Sequence, residues 1–133
     1  MSLRTTPRAP APGERRKAHR LFTWLRVDFC PLVNRTGGLS IGSLQRGIAL
    51  NISQGGLYVT DVGYLQVGAL LHLFLRLPDV PANPVVCYAR VVRHDYHGYG
   101  IRLMRVRETD NRRLERYVDD LLEAQCRHAR SAG

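Results

Sequence analysis

A mainly β chain is predicted: a six-stranded antiparallel β-barrel with a C-terminal α-helix. Three observations predict it. Leu71, Leu73, Leu75 and Leu77 alternate with His72 and Arg76, the period of a half-buried strand. Turn-forming pairs punctuate nearly every junction: Gly55-Gly56, Val67-Gly68, Pro78-Asp79, Asn83-Pro84 and His97-Gly98. Near the end the period changes, and Leu114, Tyr117, Val118, Leu121 and Leu122 fall on one face of a helix. Short strands at this spacing fit a barrel or a sandwich. Closing the sheet hides the edges that such strands expose.

Taken in order, residues 1–13 include Pro7, Pro10 and Pro12 with small and polar neighbours. They cannot bury a core and are expected to form a flexible tail. Residues 14–20 form a basic arm. Leu21 to Phe29 is rich in aromatic and branched residues and reads as the first strand, ended by Pro31. Asn34 to Ser43 is polar and glycine-rich, longer than a tight hairpin needs, and is expected to be a surface loop or a partner contact. The remaining strands are Leu44 to Ile52, Gly56 to Val62, Ala69 to Leu77, Val85 to His94 and Tyr99 to Val106. In the fifth, Cys87, Ala89 and Val91 alternate with Tyr88 and Arg90. The helix spans 108–127, its apolar stripe covering one opening of the barrel, and 128–133 is a second flexible tail. The barrel thus occupies 21–106, inside a domain of 14–127.

A length of 133 residues, 44% of them hydrophobic, suits one domain with its own core. No apolar run reaches the ~18 residues of a membrane span. The N-terminus carries charge without an apolar segment after it, so no secretory signal is expected and a cytoplasmic location is. Cys30, Cys87 and Cys126 are odd in number and far apart, which suits free thiols rather than a disulfide framework. The net charge of +9 is uneven: residues 1–20 hold six basic groups and one acid, so +5 of it lies there. That points to an anionic partner, such as a nucleotide, a nucleic acid or a lipid headgroup.

Two segments carry candidate chemistry. Arg15, Arg16 and Arg20 lie in the run 14–20, with Arg16 and Arg20 four apart, so that a bent segment aims both at one ligand. Their guanidinium forks suit phosphates and the N7/O6 edge of guanine. The second segment, Asn51 to Gly56, lies between two strands and offers the Asn51 amide, the Ser53 hydroxyl and Gly56, where a flat ligand can approach the backbone. Taken singly, each has a plainer reading. The arginine run is solvated charge or a nonspecific nucleic-acid patch. The turn is an ordinary hairpin, with Gly55-Gly56 supplying positive φ. Asn51-Ile52-Ser53 and Asn34-Arg35-Thr36 also match glycosylation acceptors, which require secretion. His94-Asp95-Tyr96-His97 has no third metal ligand nearby and reads as loop polarity. Trp24 reads as a core or rim residue of the first strand, with ligand stacking as the alternative. No P-loop, nucleophile elbow, HExxH or zinc-finger spacing is present, so neither an enzyme nor a metal site is expected.

Arg16-x-x-x-Arg20 followed about thirty residues later by Asn51-x-Ser53-x-x-Gly56, inside a small β domain, resembles the PilZ domain. Gly98 to Leu103 is similar to that family's last barrel strand, and the resemblance covers roughly residues 14 to 125. It implies a bacterial receptor for cyclic di-GMP that binds this ligand without a cofactor. Arg16 and Arg20 match the family arginines that grip phosphate and guanine, and Asn51, Ser53 and Gly56 match the turn that holds a guanine on the barrel surface. The family uses Asp or Asn at the first turn position. Asn51 offers one accepting oxygen and no charge, where a carboxylate would accept from both guanine N1–H and N2–H. Arg15 adds a finer implication: in similar domains an arginine here accompanies binding of a stacked, intercalated pair of cyclic dinucleotides.

The function expected is a receptor and adaptor that rearranges its arm on binding cyclic di-GMP. It then signals to a partner protein in motility, exopolysaccharide or developmental regulation. The alternatives are a PilZ-fold interaction module that binds no cyclic di-GMP, and a small-barrel nucleic-acid binder.

Overall fold

Alternation of apolar residues produces a ring of strands. The computed structural model describes residues 21–35, 38–53 and 55–132. Its strands are β1 (Leu21–Arg35), β2 (Gly38–Ile41), β3 (Gln45–Ser53), β4 (Gly56–Thr60), β5 (Leu70–Leu75), β6 (Val85–His94) and β7 (Tyr99–Val106), followed by helix α1 (Glu108–Ala132). All pairings are antiparallel, in the order β1-β3-β4-β7-β6-β5 and back to β1. That is a closed six-stranded barrel, as expected, and among the described residues β2 is a seventh strand, paired to the far end of β1.

Closure depends on the length of β1. Residues 21–29 pair with β3 and residues 27–32 with β5, so the middle of the strand is bonded on both edges. Inward side chains alternate as the sequence indicates. Leu71, Leu73, Leu75, Leu77, Cys87, Ala89 and Val91 are each at most 2% exposed, and Val27 and Phe29 face them. Burial of each larger aliphatic side chain contributes ~1.5–3 kcal/mol before conformational entropy is subtracted. Burial also pushes the Cys87 thiol up to about 12, which makes it an inert core group.

Three expectations need correction. Pro31 does not end β1. The ring has a φ compatible with a strand, and the ladder opposite it is interrupted instead: residues 42–44 leave the strand, and the Gly42 amide donates to the Pro31 carbonyl at 2.7 Å. The segment from Asn34 to Ser43 is therefore not an open loop. It carries β2, paired from Leu32↔Ile41 to Arg35↔Gly38 in a tight hairpin, with Gly38 at a φ of 125° that favours glycine. Finally, α1 continues to Ala132, so residues 128–132 extend the helix rather than forming a tail.

The helix packs on β1 and β6. Leu114 is buried, and Tyr117, Val118 and Leu121 pack against the core, whereas Leu122 is exposed and lies off the contact stripe. The N-terminal end is anchored by Asp110, which accepts from the Val86 amide and from Arg107 Nε, both at 2.9 Å. Near its other end, the Gln125 amide donates to the Phe22 carbonyl at 2.9 Å and accepts from the Phe22 amide at 3.3 Å. These bonds occupy β1 where it has no β5 partner. The helix thus completes the barrel wall there and touches the beginning of β1.

Candidate functional site

Strict alternation along β3 would turn Asn51 inward, because Ala49 is buried. A β-bulge prevents this. The register slips between Ala49 and Asn51, leaving Leu50 as the extra residue. Asn51 then points outward while Ile52 returns to the core. A second bulge lies between Val91 and Arg93 on β6, and it turns Arg93 outward in the same way. The two bulges re-aim two polar side chains toward one region of the outer wall.

That region is built from two rows across the sheet. One runs Phe22↔Asn51↔Tyr58↔Gly100↔Arg93, and the other Ser53↔Gly56↔Arg102↔Arg90. Between them lies a shallow cavity of about 300 Å³, with Asn51, Ser53, Gly56, Arg93 and Arg102 in its wall. Asn51, Ser53 and Gly56 are therefore brought together. Gly56 has a reason of its own to be glycine: a Cβ there would lie 2.6 Å from the Ile101 carbonyl oxygen. The close approach it serves is that of β4 to β7. Among the described residues, positive φ occurs at Gly38, Gly68 and Asp61, so neither Gly55 nor Gly56 supplies the positive φ expected of it.

Arg15, Arg16 and Arg20 lie outside the described residues. Their point of attachment is described. Leu21 pairs with Ile52, between Asn51 and Ser53, and Arg20 is one Cα step of ~3.8 Å before Leu21. Leu21, which follows the basic segment directly, thus lies beside the turn. Phe22, 76% exposed, is the direct cross-strand neighbour of Asn51 and offers an aromatic face there. Trp24 is 60% exposed on the outer surface of β1, and so is not a core residue.

The β6–β7 turn that supports Arg93 is held by Asp95. Its carboxylate accepts from the Tyr58 hydroxyl, from the His97 amide at 2.9 Å and from the Gly98 amide at 3.0 Å. Gly98 is required there, because a Cβ would lie 2.2 Å from the Val59 carbonyl oxygen. His94 stacks on Tyr99 at 4.4 Å. Asp95 is thus engaged within the turn, and among the described residues no cluster of three potential metal ligands occurs. The Tyr58 hydroxyl, more than the two amides, holds the Asp95 carboxyl down at about 2. A carboxyl lowered on folding stabilises the protein fully above about pH 4, and that contribution is lost as pH falls through the folded value. Tyr58→Phe is expected to flatten the fall of melting temperature between about pH 4 and 2. A profile that falls as steeply as the parent's would show that Tyr58 does not set the carboxylate's environment.

Sequence reasoning missed Arg93 and Arg102. Both lie in strands it placed correctly, and the signal for Arg93 was available: Val91-Val92-Arg93 breaks the alternation of β6 as Ala49-Leu50-Asn51 breaks that of β3. Among the described residues, no helix is long and apolar enough to cross a membrane. Compared with known protein families, residues 14–120 match the model of the PilZ domain. A comparison with curated proteins gives no match.

Proposed function

The chain belongs to the PilZ domain family, whose members are cyclic di-GMP-binding modules that act on partner proteins, and from that premise we propose that it is a cyclic di-GMP receptor and adaptor. One observation carries this reading: the pairing of Leu21 with Ile52 sets the root of the basic arm beside Asn51 and Ser53, at a cavity whose wall holds two further arginines. Arg16 and Arg20 close over the ligand from the arm, gripping phosphate and guanine edges. Asn51 and Ser53 hold a guanine from the barrel. Arg15 adds the charge that a second, intercalated dinucleotide needs.

Ordering the arm costs ~1–2 kcal/mol per residue, which the charge-assisted bonds must exceed. The ligand therefore selects the closed arm. The output is a changed surface around the start of β1, where Gln125 of α1 is bonded to both polar backbone atoms of Phe22. A partner protein that reads arm and helix together receives the signal. No step of this function requires catalysis.

The test is calorimetric titration with cyclic di-GMP, cyclic di-AMP, GTP and a single-stranded oligonucleotide. Heat from cyclic di-GMP alone, with two ligands per chain and a melting temperature raised by linkage, is the expected outcome. A ratio of one removes Arg15's proposed role. Heat from the oligonucleotide instead would favour the nucleic-acid reading.

A further inference from the structure

We propose that Arg93 and Arg102 form a second guanidinium pair, fixed on the barrel, that grips the ligand's phosphates. This rests on the receptor reading above and adds two contacts outside both signature motifs.

Placement is the first argument. Arg93 and Arg102 project from adjacent strands, β6 and β7, into the wall of the cavity that Asn51 and Ser53 share. The bulge at Val92 exists at the cost of ladder regularity, and its consequence is that Arg93 faces this cavity. Gly100 completes the arrangement. A Cβ on it would lie 3.3 Å from Arg93 Nε and 3.5 Å from Cζ, so the guanidinium rests directly over bare backbone.

Charge is the second argument. Arg102 stands directly opposite Arg90 across the β6–β7 ladder, an unfavourable like-charged pair. Among the described residues neither arginine has an ion-pair partner, and Arg90 donates only to the Gly68 carbonyl, at 3.3 Å. The charge of Asp95 reaches Arg93, but that carboxylate is bonded to Tyr58 and to its own turn, and no ion pair forms. Among the described residues no carboxylate lines the cavity, and its first turn residue, Asn51, is neutral. Two unpaired forks over a neutral floor suit a bound anion, and a phosphodiester oxygen pair matches fork geometry.

The experiment is calorimetry with cyclic di-GMP on the parent, Arg93→Ala, Arg102→Ala, the double variant and Arg105→Ala. Arg105 is an exposed arginine on the same strand, opposite Tyr88 and outside the cavity. Each single variant is expected to bind at least tenfold more weakly, the double variant at least a hundredfold, and Arg105→Ala within about twofold of the parent. Ligand-free Arg102→Ala is expected to melt no lower than the parent, because it loses a like-charged neighbour. Parental affinity in the double variant, or an equal loss in Arg105→Ala, overturns the inference and leaves the receptor reading standing. No heat from the parent overturns both.

Discussion

Arg20→Ala is expected to lower cyclic di-GMP affinity by about a hundredfold or more, and Arg16→Ala by a similar factor, with the ligand-free melting temperature unchanged. Each guanidinium offers a two-pronged donor to phosphate or to guanine, and a hydrogen bond to a charged group contributes ~1.5–3 kcal/mol. Losing two such bonds removes ~3 kcal/mol or more, and each ~1.4 kcal/mol is a factor of ten in affinity. The fold is expected to be spared because every described ladder and core residue lies at Leu21 or beyond. The measurement is calorimetry beside a thermal melt of each variant. Parental affinity in either one would show that the arm takes no part, even with the turn in place. An affinity loss accompanied by a large fall in melting temperature would mean that the arm supports the barrel and is not a free clamp.

The barrel was legible in the sequence because a ring of strands needs little beyond alternation and turns. The Leu71–Leu77 series and the Cys87–Val91 series announce their inward faces residue by residue. Asn51, Ser53 and Gly56 were legible as a set because their spacing is short and lies at a turn. Three things were hidden, for a common reason. Pro31 looks like a terminator locally, but its partner strand absorbs the missing donor through the break at residues 42–44. Leu50 and Val92 interrupt the alternation in the sequence, but only cross-strand register shows that the interruption is a bulge and where it aims the next side chain. Arg93 and Arg102 are nine residues apart in sequence and meet only because β6 folds back on β7. Each depends on a neighbour that a one-dimensional pattern does not contain. The tertiary pairing that hides these features also assembles the cavity.

Asp110→Ala is expected to be strongly destabilising, costing ~2–4 kcal/mol and lowering the melting temperature by roughly 10 °C. Asp110 is a charged residue only 2% exposed. It receives the Val86 amide, Arg107 at 2.8 Å and Arg113 at 3.4 Å. It also sits in the first turn of α1, where a negative charge complements the helix dipole. Removing the carboxylate strands the Val86 amide and withdraws the charge that Arg107 faces. Arg113 suffers less, because Asp79 still accepts from its Nε at 2.9 Å and its Nη2 at 2.8 Å. Asp110→Asn keeps one accepting oxygen for Val86 but not the charge, so it is expected to fall between Ala and the parent. Denaturant melts of the three proteins, followed by circular dichroism, decide the matter. If Asp110→Ala melts with the parent, α1 is held by Leu114 and its apolar neighbours alone. If it melts early while Asn melts midway, the helix is pinned at β6 by a buried charge. That pin keeps α1 in reach of Phe22, where Gln125 meets the start of β1.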